Sequence, residues 1–386
     1  MDKKTHTQSD PPAPLIPEHV LDVIRRVGAP CVVYDLPSFE RSVRRMVRAF
    51  DACFFPVKCN PHPEMLKAAA GRRAGLDVCS PQEFEMARKT GIPGARISHT
   101  GVALEPGLMT RMAAAGAWVN LDSIQELDQW LSRLPGRPVS LRLKAGRDFY
   151  YLNKFGIGVR ELPAALEKIR AAKARLAGVH VHFEHEGQTP GDLAREYLPF
   201  LETLSTHLGD AMGGLERVNL GGGWPAFGKK RENMTPDRIA GAFETRVAGP
   251  LKAAGFAGEI AVEPGAFAAS GCGYWAAEAA VLKPGAKGGV VAVLNTAAPV
   301  PSPGLPYPVA VLRGKGADMA PVSGKASVFH TLTGLTNSPL DVIRESVALP
   351  GLRPGDTVVF CRTGAYLATS MSALHGRPAP PVHVAR

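Results

Sequence analysis

The chain has 386 residues, 45% hydrophobic and 21% charged, a balance that supports a large core and excludes an intrinsically disordered chain. Its net charge of +10 raises nucleic acid as a partner, but the Arg and Lys residues are scattered over helical stretches and form no dense run, so no nucleic-acid binding is expected and attraction for anionic metabolites is. No apolar stretch approaches the roughly 18 residues of a membrane span, so no membrane association is expected. The first residues, MDKKTHTQSDPPAP, lack an apolar h-region and read as a flexible leader. The six cysteines, Cys31, Cys53, Cys59, Cys79, Cys272 and Cys361, show no CxxC pair and no metal-ligand spacing. They read as reduced, mostly buried thiols in a cytoplasmic protein without a metal site.

From Pro30 onward, strand-like and helix-like segments alternate. Strand candidates are 54–58 (FFPVK), 75–80 (GLDVCS), 95–100 (ARISHT), 118–122 (WVNLD), 139–144 (VSLRLK), 178–183 (GVHVHF), 217–222 (RVNLGG) and 259–265 (EIAVEPG). Between them lie stretches such as PQEFEMARKTG and SIQELDQWLSRL, with apolar residues at helical spacing. Ser80 with Glu83 and Ser123 with Glu126 form capping-box patterns, marking two helix starts. Eight β/α units predict an α/β fold, a TIM barrel over residues 31–265, in a chain long enough for a second domain. After Gly265 the pattern turns to Gly/Pro-punctuated β segments such as KGGVVAVLN and DTVVFCRTG, predicting an all-β domain over residues 266–386. The proline-rich stretch 298–308 reads as a loop.

Several strand ends carry polar residues, and a barrel delivers those ends to one face. Lys58 closes the apolar run FFPVK, where partial desolvation favours a neutral, nucleophilic amine able to form an imine with an aldehyde. Read alone, a lysine snorkelling from a strand end explains it as well. Gly221, Gly222 and Gly223 follow a strand, either as a tight turn or as backbone N–H groups open to a phosphate. Glu263, in VEPG, is an acid in an apolar setting that needs a partner. His180 and His182 alternate at period two in GVHVHF, as core imidazoles or as members of a site.

In this order the motifs resemble those of the fold-type III pyridoxal-phosphate enzymes, the ornithine and diaminopimelate decarboxylase group, which shares its barrel with alanine racemase. The resemblance runs from about Pro30 to the C-terminus. It implies that Lys58, in V-K-x-N, carries pyridoxal 5'-phosphate as an imine, that Gly221, Gly222 and Gly223 hold its phosphate, that His182 stacks on its ring and that Glu263 faces the pyridine nitrogen. It further implies Asp77 beside the lysine, Tyr366 of GAY at the phosphate, Arg142 behind the site, and a homodimer with shared active sites in which Lys154 pairs with Asp341 of the partner subunit. Residues 1–30 are implied to join the β domain.

The chain departs from the pattern on the substrate side. In GLTNSPLD, residues 334–341, Asn337 stands where the resembled decarboxylases carry a proton-donating cysteine, and its amide has no proton acidic enough for that work. Lys58 or His185 is then the candidate donor. Ser338 replaces an aspartate that meets a distal ammonium, so a diamine-forming substrate is not expected. The stretch 182–188 (HFEHEGQ) replaces H-x-G-S and adds Glu184, His185 and Glu186, while Ala266 replaces an arginine. The PLD ending resembles natural-product and siderophore decarboxylases. Together these imply a decarboxylase of a non-standard amino acid, with a racemase or epimerase and a non-decarboxylating cofactor binder as the alternatives.

Overall fold

The protein is described by a computed structural model covering residues 15–144, 154–182, 184–185, 187–226, 234–299, 307–324, 326–371 and 373–386, without the side chains of Asp210 and Lys287. The chain divides into two units, one spanning Phe39–Ala268 and the other formed by the segment that ends at Ser38 together with Ala269–Arg386. Residues 1–14 and 300–306, parts of the expected leader and proline-rich loop, lie outside the described residues.

Strand β1 (Cys31–Asp35) belongs to the second unit. The next eight, β2 (Ala52–Pro56), β3 (Gly75–Val78), β4 (Ile97–His99), β5 (Trp118–Leu121), β6 (Val139–Arg142), β7 (Leu176–His180), β8 (Arg217–Asn219) and β9 (Glu259–Val262), close a barrel. Every neighbouring pair is parallel, and β2 against β9 completes the ring. All eight overlap the segments read as strands, because a parallel strand covered on both sides is a short apolar run. Each ends a few residues early, so Lys58, His182 and the glycines stand on loops beyond the barrel's C-terminal edge.

The helix starts follow the capping patterns with one change. Ser80 Oγ accepts the Glu83 N–H at 3.2 Å and Ser123 Oγ accepts the Glu126 N–H at 3.2 Å. The return bonds fall one residue earlier than in a capping box: Glu83 accepts from the Cys79 N–H (2.8 Å) and Glu126 from the Asp122 N–H (2.7 Å). Each glutamate thus ties the strand-to-helix turn to its helix.

In the second unit, strands β10 (Gly273–Pro284), β11 (Val290–Leu294), β12 (Val309–Arg313), β13 (Ala320–Pro321), β14 (Val328–Thr333), β15 (Val342–Leu349), β16 (Thr357–Cys361) and β17 (Val382–Ala385) form a sheet with β1. The order is β13-β12-β16-β10-β11-β14-β15, and β1 pairs antiparallel with β10 and parallel with β17. A register shift between Ala279 and Val281 lets the long β10 pair β16 with one half and β11 with the other. The helix Glu18–Val27 lays Val20, Leu21 and Ile24 on a core shared with Val33, Ala276, Leu312 and Val359. These contacts place residues 31–38 with the β unit and move the start of the barrel from residue 31 to Phe39. No helix among the described residues is long and apolar enough to cross a membrane.

Candidate active site

Strand β2 ends at Pro56, and one 3-10 turn, Val57–Cys59, carries Lys58. Its Nζ lies 3.6 Å from Asp77 Oδ2, with the lysine side chain 37% exposed and the aspartate buried. Asp77 Oδ1 has no hydrogen-bond partner among the described residues. Burial, then the nearby Glu263 charge, raises the Asp77 pKa well above the usual carboxylate value against the pull of Lys58.

Glu263, just past β9, is 2% exposed. Its Oε1 accepts a bond from Asn219 Nδ2 at 2.8 Å, and its Oε2 lies 3.4 Å from His180 Nε2 and 4.0 Å from His182 Nδ1. Burial works against the charged form, but the hydrogen bond from His180 and the Lys58 charge outweigh it and hold the carboxyl down at about 2. Burial keeps both histidines neutral, lowering His180, and lowering His182 to about 3 with help from the Lys58 charge. His180 Nδ1 has no partner among the described residues, which assigns its hydrogen to Nε2 and makes it a donor to Glu263.

The glycine loop leaves no room for side chains. A Cβ on Gly221, at φ +64°, would stand 2.4 Å from Val181 O, and one on Gly222 would stand 2.1 Å from Glu263 O. The Gly221 N–H donates to Asn219 Oδ1 at 2.9 Å and the Gly222 N–H to His182 Nδ1 at 3.1 Å. The loop is the tight turn that the sequence allowed, with two of its three N–H groups committed to protein.

His185 is tied to two groups on the following helical segment. Its Nδ1 lies 2.6 Å from Glu196 Oε2 and its Nε2 lies 2.9 Å from the Tyr197 hydroxyl. The side chain is buried, which lowers its pKa despite Glu196. Both ring nitrogens are engaged in this network. Glu184 is exposed, and Glu186 lies outside the described residues.

Arg142, at the end of β6, is buried with Nη1 3.2 Å from Asp122 Oδ1 and its guanidinium 4.5 Å from the centre of the Phe155 ring. Burial raises Asp122 to about 6, more than Arg142 lowers it. Lys154 is exposed, with Nζ 5.3 Å from the same ring centre.

In the second unit, Tyr366 adopts φ +61° and is 42% exposed. The loop Gly334–Asp341 is closed by a buried carboxylate: Asp341 accepts the N–H groups of Ala298 and Thr336, both at 2.7 Å, and the Thr336 hydroxyl at 2.6 Å. Asn337 is exposed, and its N–H donates to His375 Nε2 at 3.2 Å. Ser338 Oγ accepts the Leu340 N–H at 3.2 Å.

The barrel therefore gathers Lys58, Asp77, His182, Gly221, Gly222, Gly223 and Glu263, while Asn337, Ser338, Asp341 and Tyr366 lie on the other unit. Sequence reasoning missed Asn219, which joins Glu263 to the glycine loop; a polar residue inside the apolar RVNL run was its signal. It also missed Glu196 and Tyr197, which sit inside an ordinary amphipathic stretch and carry no signal.

A parallel barrel that sets a lysine beside one carboxylate, a second buried carboxylate and a tight glycine turn on the loops after its strands is an arrangement suited to an enzyme that binds a carbonyl cofactor. Residues 36–270 match the family described as pyridoxal-dependent decarboxylase, pyridoxal binding domain. The diaminopimelate decarboxylase of Deinococcus radiodurans is 25% identical over 377 residues, covering 93% of this chain and 90% of that protein. The one from Streptomyces coelicolor is 26% identical over 381 residues, covering 92% and 84%. Among solved structures, a diaminopimelate decarboxylase superposes with a TM-score of 0.82 at 22% identity, covering 95% of this chain and 91% of that one. The lysine/ornithine decarboxylase of Vibrio vulnificus complexed with putrescine superposes with a TM-score of 0.79 at 18% identity, covering 95% and 97%. The chain belongs to the pyridoxal-dependent decarboxylase family, with pyridoxal 5'-phosphate as its cofactor and carbon–carbon bond lysis as its class of chemistry.

Proposed function

We propose that the protein decarboxylates a non-standard amino acid in natural-product or siderophore biosynthesis, working as a cytoplasmic homodimer. The observation that carries the reading is the Glu263 carboxylate, buried yet held ionised by Asn219 and His180. A fixed buried anion is costly unless it faces a cation, and a protonated pyridine nitrogen is one. The orphaned Asp77 Oδ1 and the cradle formed by Gly221 and Gly222 fit the same group.

Lys58 would hold the cofactor covalently through Nζ, the glycine loop would meet its phosphate, and His182 would cover its ring. When bound, pyridoxal phosphate supplies an electron-accepting ring that takes up the pair released as a bond at the substrate's α-carbon breaks. Glu263 keeps its charge because the hydrogens of Asn219 and His180 are pre-positioned, so no reorganisation is needed during the reaction. Arg142, pinned by Asp122 under Phe155, supports this polar interior. Asn337 offers no acidic proton and His185 is engaged, so Lys58 Nζ is the group that returns a proton to the α-carbon. Ser338, neutral where the resembled enzymes place an acid, supports a substrate without a distal ammonium. In the dimer Lys154 would meet Asp341 of the partner subunit as a fourth contact to that carboxylate.

The test is carbon dioxide release and amine formation over a panel of amino acids in deuterium oxide. Release with a monodeuterated amine supports the reading. Exchange at the α-carbon without release points to a racemase or epimerase, and bound cofactor with neither reaction points to a carrier.

A further inference from the structure

The glycine loop is braced from outside the barrel by groups that its chemistry does not use. The Tyr197 hydroxyl donates to Leu220 O at 2.9 Å, on the residue preceding the glycines. The same hydroxyl oxygen accepts from His185 Nε2–H at 2.9 Å, so the 2.6 Å contact of His185 Nδ1 with Glu196 Oε2 takes a second proton, carried by the ring or by the carboxyl. The His185 main-chain N–H donates to Gly223 O at 3.2 Å. One residue therefore grips both ends of the triple glycine, through its backbone at Gly223 and through Tyr197 at Leu220.

The consequence runs inward through one peptide plane. Carbonyl and N–H of a trans peptide point in opposite directions, so holding Leu220 C=O toward Tyr197 turns the Gly221 N–H toward Asn219 Oδ1, where it is found at 2.9 Å. Asn219 in turn donates to Glu263 at 2.8 Å. A continuous path of hydrogen bonds thus links Glu196, His185, Tyr197, the 220–221 peptide, Asn219 and Glu263. Tyr197 is fully enclosed, with its ring 5.0 Å from His185 and 5.4 Å from Phe243, so its hydroxyl has little freedom.

We propose that Glu196, His185 and Tyr197 form a positioning relay that sets the orientation of the Leu220–Gly223 backbone, and so the affinity of the site for the phosphate of its cofactor. The inference rests on the assignment of the glycine loop to the phosphate in the proposed function. It gives His185 a positioning part and no part in proton transfer to the substrate.

The experiment compares pyridoxal phosphate with pyridoxal, which lacks the phosphate, as ligands for protein stripped of cofactor, using native protein, Tyr197→Phe and Glu196→Gln. Tyr197→Phe keeps the ring packing and removes only the hydroxyl. Losing one buried hydrogen bond is worth about a 5- to 10-fold change in Kd, so pyridoxal phosphate should bind Tyr197→Phe weaker by that factor, with a shifted phosphorus NMR signal, while the Kd for pyridoxal stays unchanged. Glu196→Gln should show a smaller loss of the same selectivity. Equal weakening toward both ligands would mean a merely structural role and would overturn the relay, as would unchanged affinity for both. Failure of native protein to bind pyridoxal phosphate at all would instead overturn the cofactor reading, and the relay with it.

Discussion

Two loops of this chain are built in opposite ways. The loop Gly221–Gly223 is enclosed: its carbonyls and N–H groups are tied to Glu263, His182, Asn219 and His185, and no side chain fits at two of its three positions. The loop Gly334–Asp341 is open at its tip, with Asn337, Pro339 and Leu340 exposed, and is shaped by the one carboxylate of Asp341. The first suits a ligand part that never changes, such as a phosphate. The second suits a surface whose tip residues can be replaced without disturbing the backbone, and it is one of the places where the sequence departs from the family pattern.

The largest expected effect breaks the enclosed side. Lys58→Ala should lower carbon dioxide release by at least roughly 10³-fold, and after borohydride reduction the denatured variant should carry no cofactor mass. Cofactor retained covalently on that variant would show that another residue holds it.

A second substitution sharpens the open side. Asn337→Cys should raise the rate of amine formation by up to about 10²-fold, since general acid catalysis is worth roughly 10²–10⁴-fold and a thiol restores the donor. The readout is a product balance of amine, aldehyde and carbon dioxide. An unchanged balance would mean that the loop tip plays no part in the proton step.

Stability separates the two ends of the same open loop. Asp341→Ala strands the buried Ala298 N–H and the half-buried N–H and hydroxyl of Thr336, and should cost about 2–3 kcal/mol in denaturant unfolding. Asn337→Ala, at the exposed tip, should stay within about 0.5 kcal/mol of native. Similar losses for both would contradict the assignment of loop shape to the carboxylate.

The smallest effect concerns Asp122 beside Arg142. Burial raises its folded pKa to about 6 from the ordinary 3.8. Between those values the folded state binds more protons than the unfolded chain, so this group's contribution to stability is greatest at low pH and is lost as pH rises through about 6. Asp122→Asn should remove that component, seen as a flatter difference in unfolding free energy between pH 4 and pH 7. A steeper slope in the variant would reverse the sign.

The barrel was legible because its strands are short apolar runs that announce themselves without knowledge of their neighbours, and Lys58, Glu263 and the glycines stand at the ends of such runs. The boundary of the β unit was not legible, because β1 is a strand only through pairing with β10 and β17, over 200 residues away. His185 shows the same limit at the scale of one side chain. Its position in HFEHEGQ suggested a substrate-facing acid, yet the fold turns it toward Glu196 and Tyr197 on a following helical segment. Residue types and local spacing, decided by short-range sterics and burial pattern, determined the eight β/α units of the barrel. The hydrogen-bond partners of those residues depend on which distant groups packing brings within about 3 Å, and that the tertiary structure alone decided.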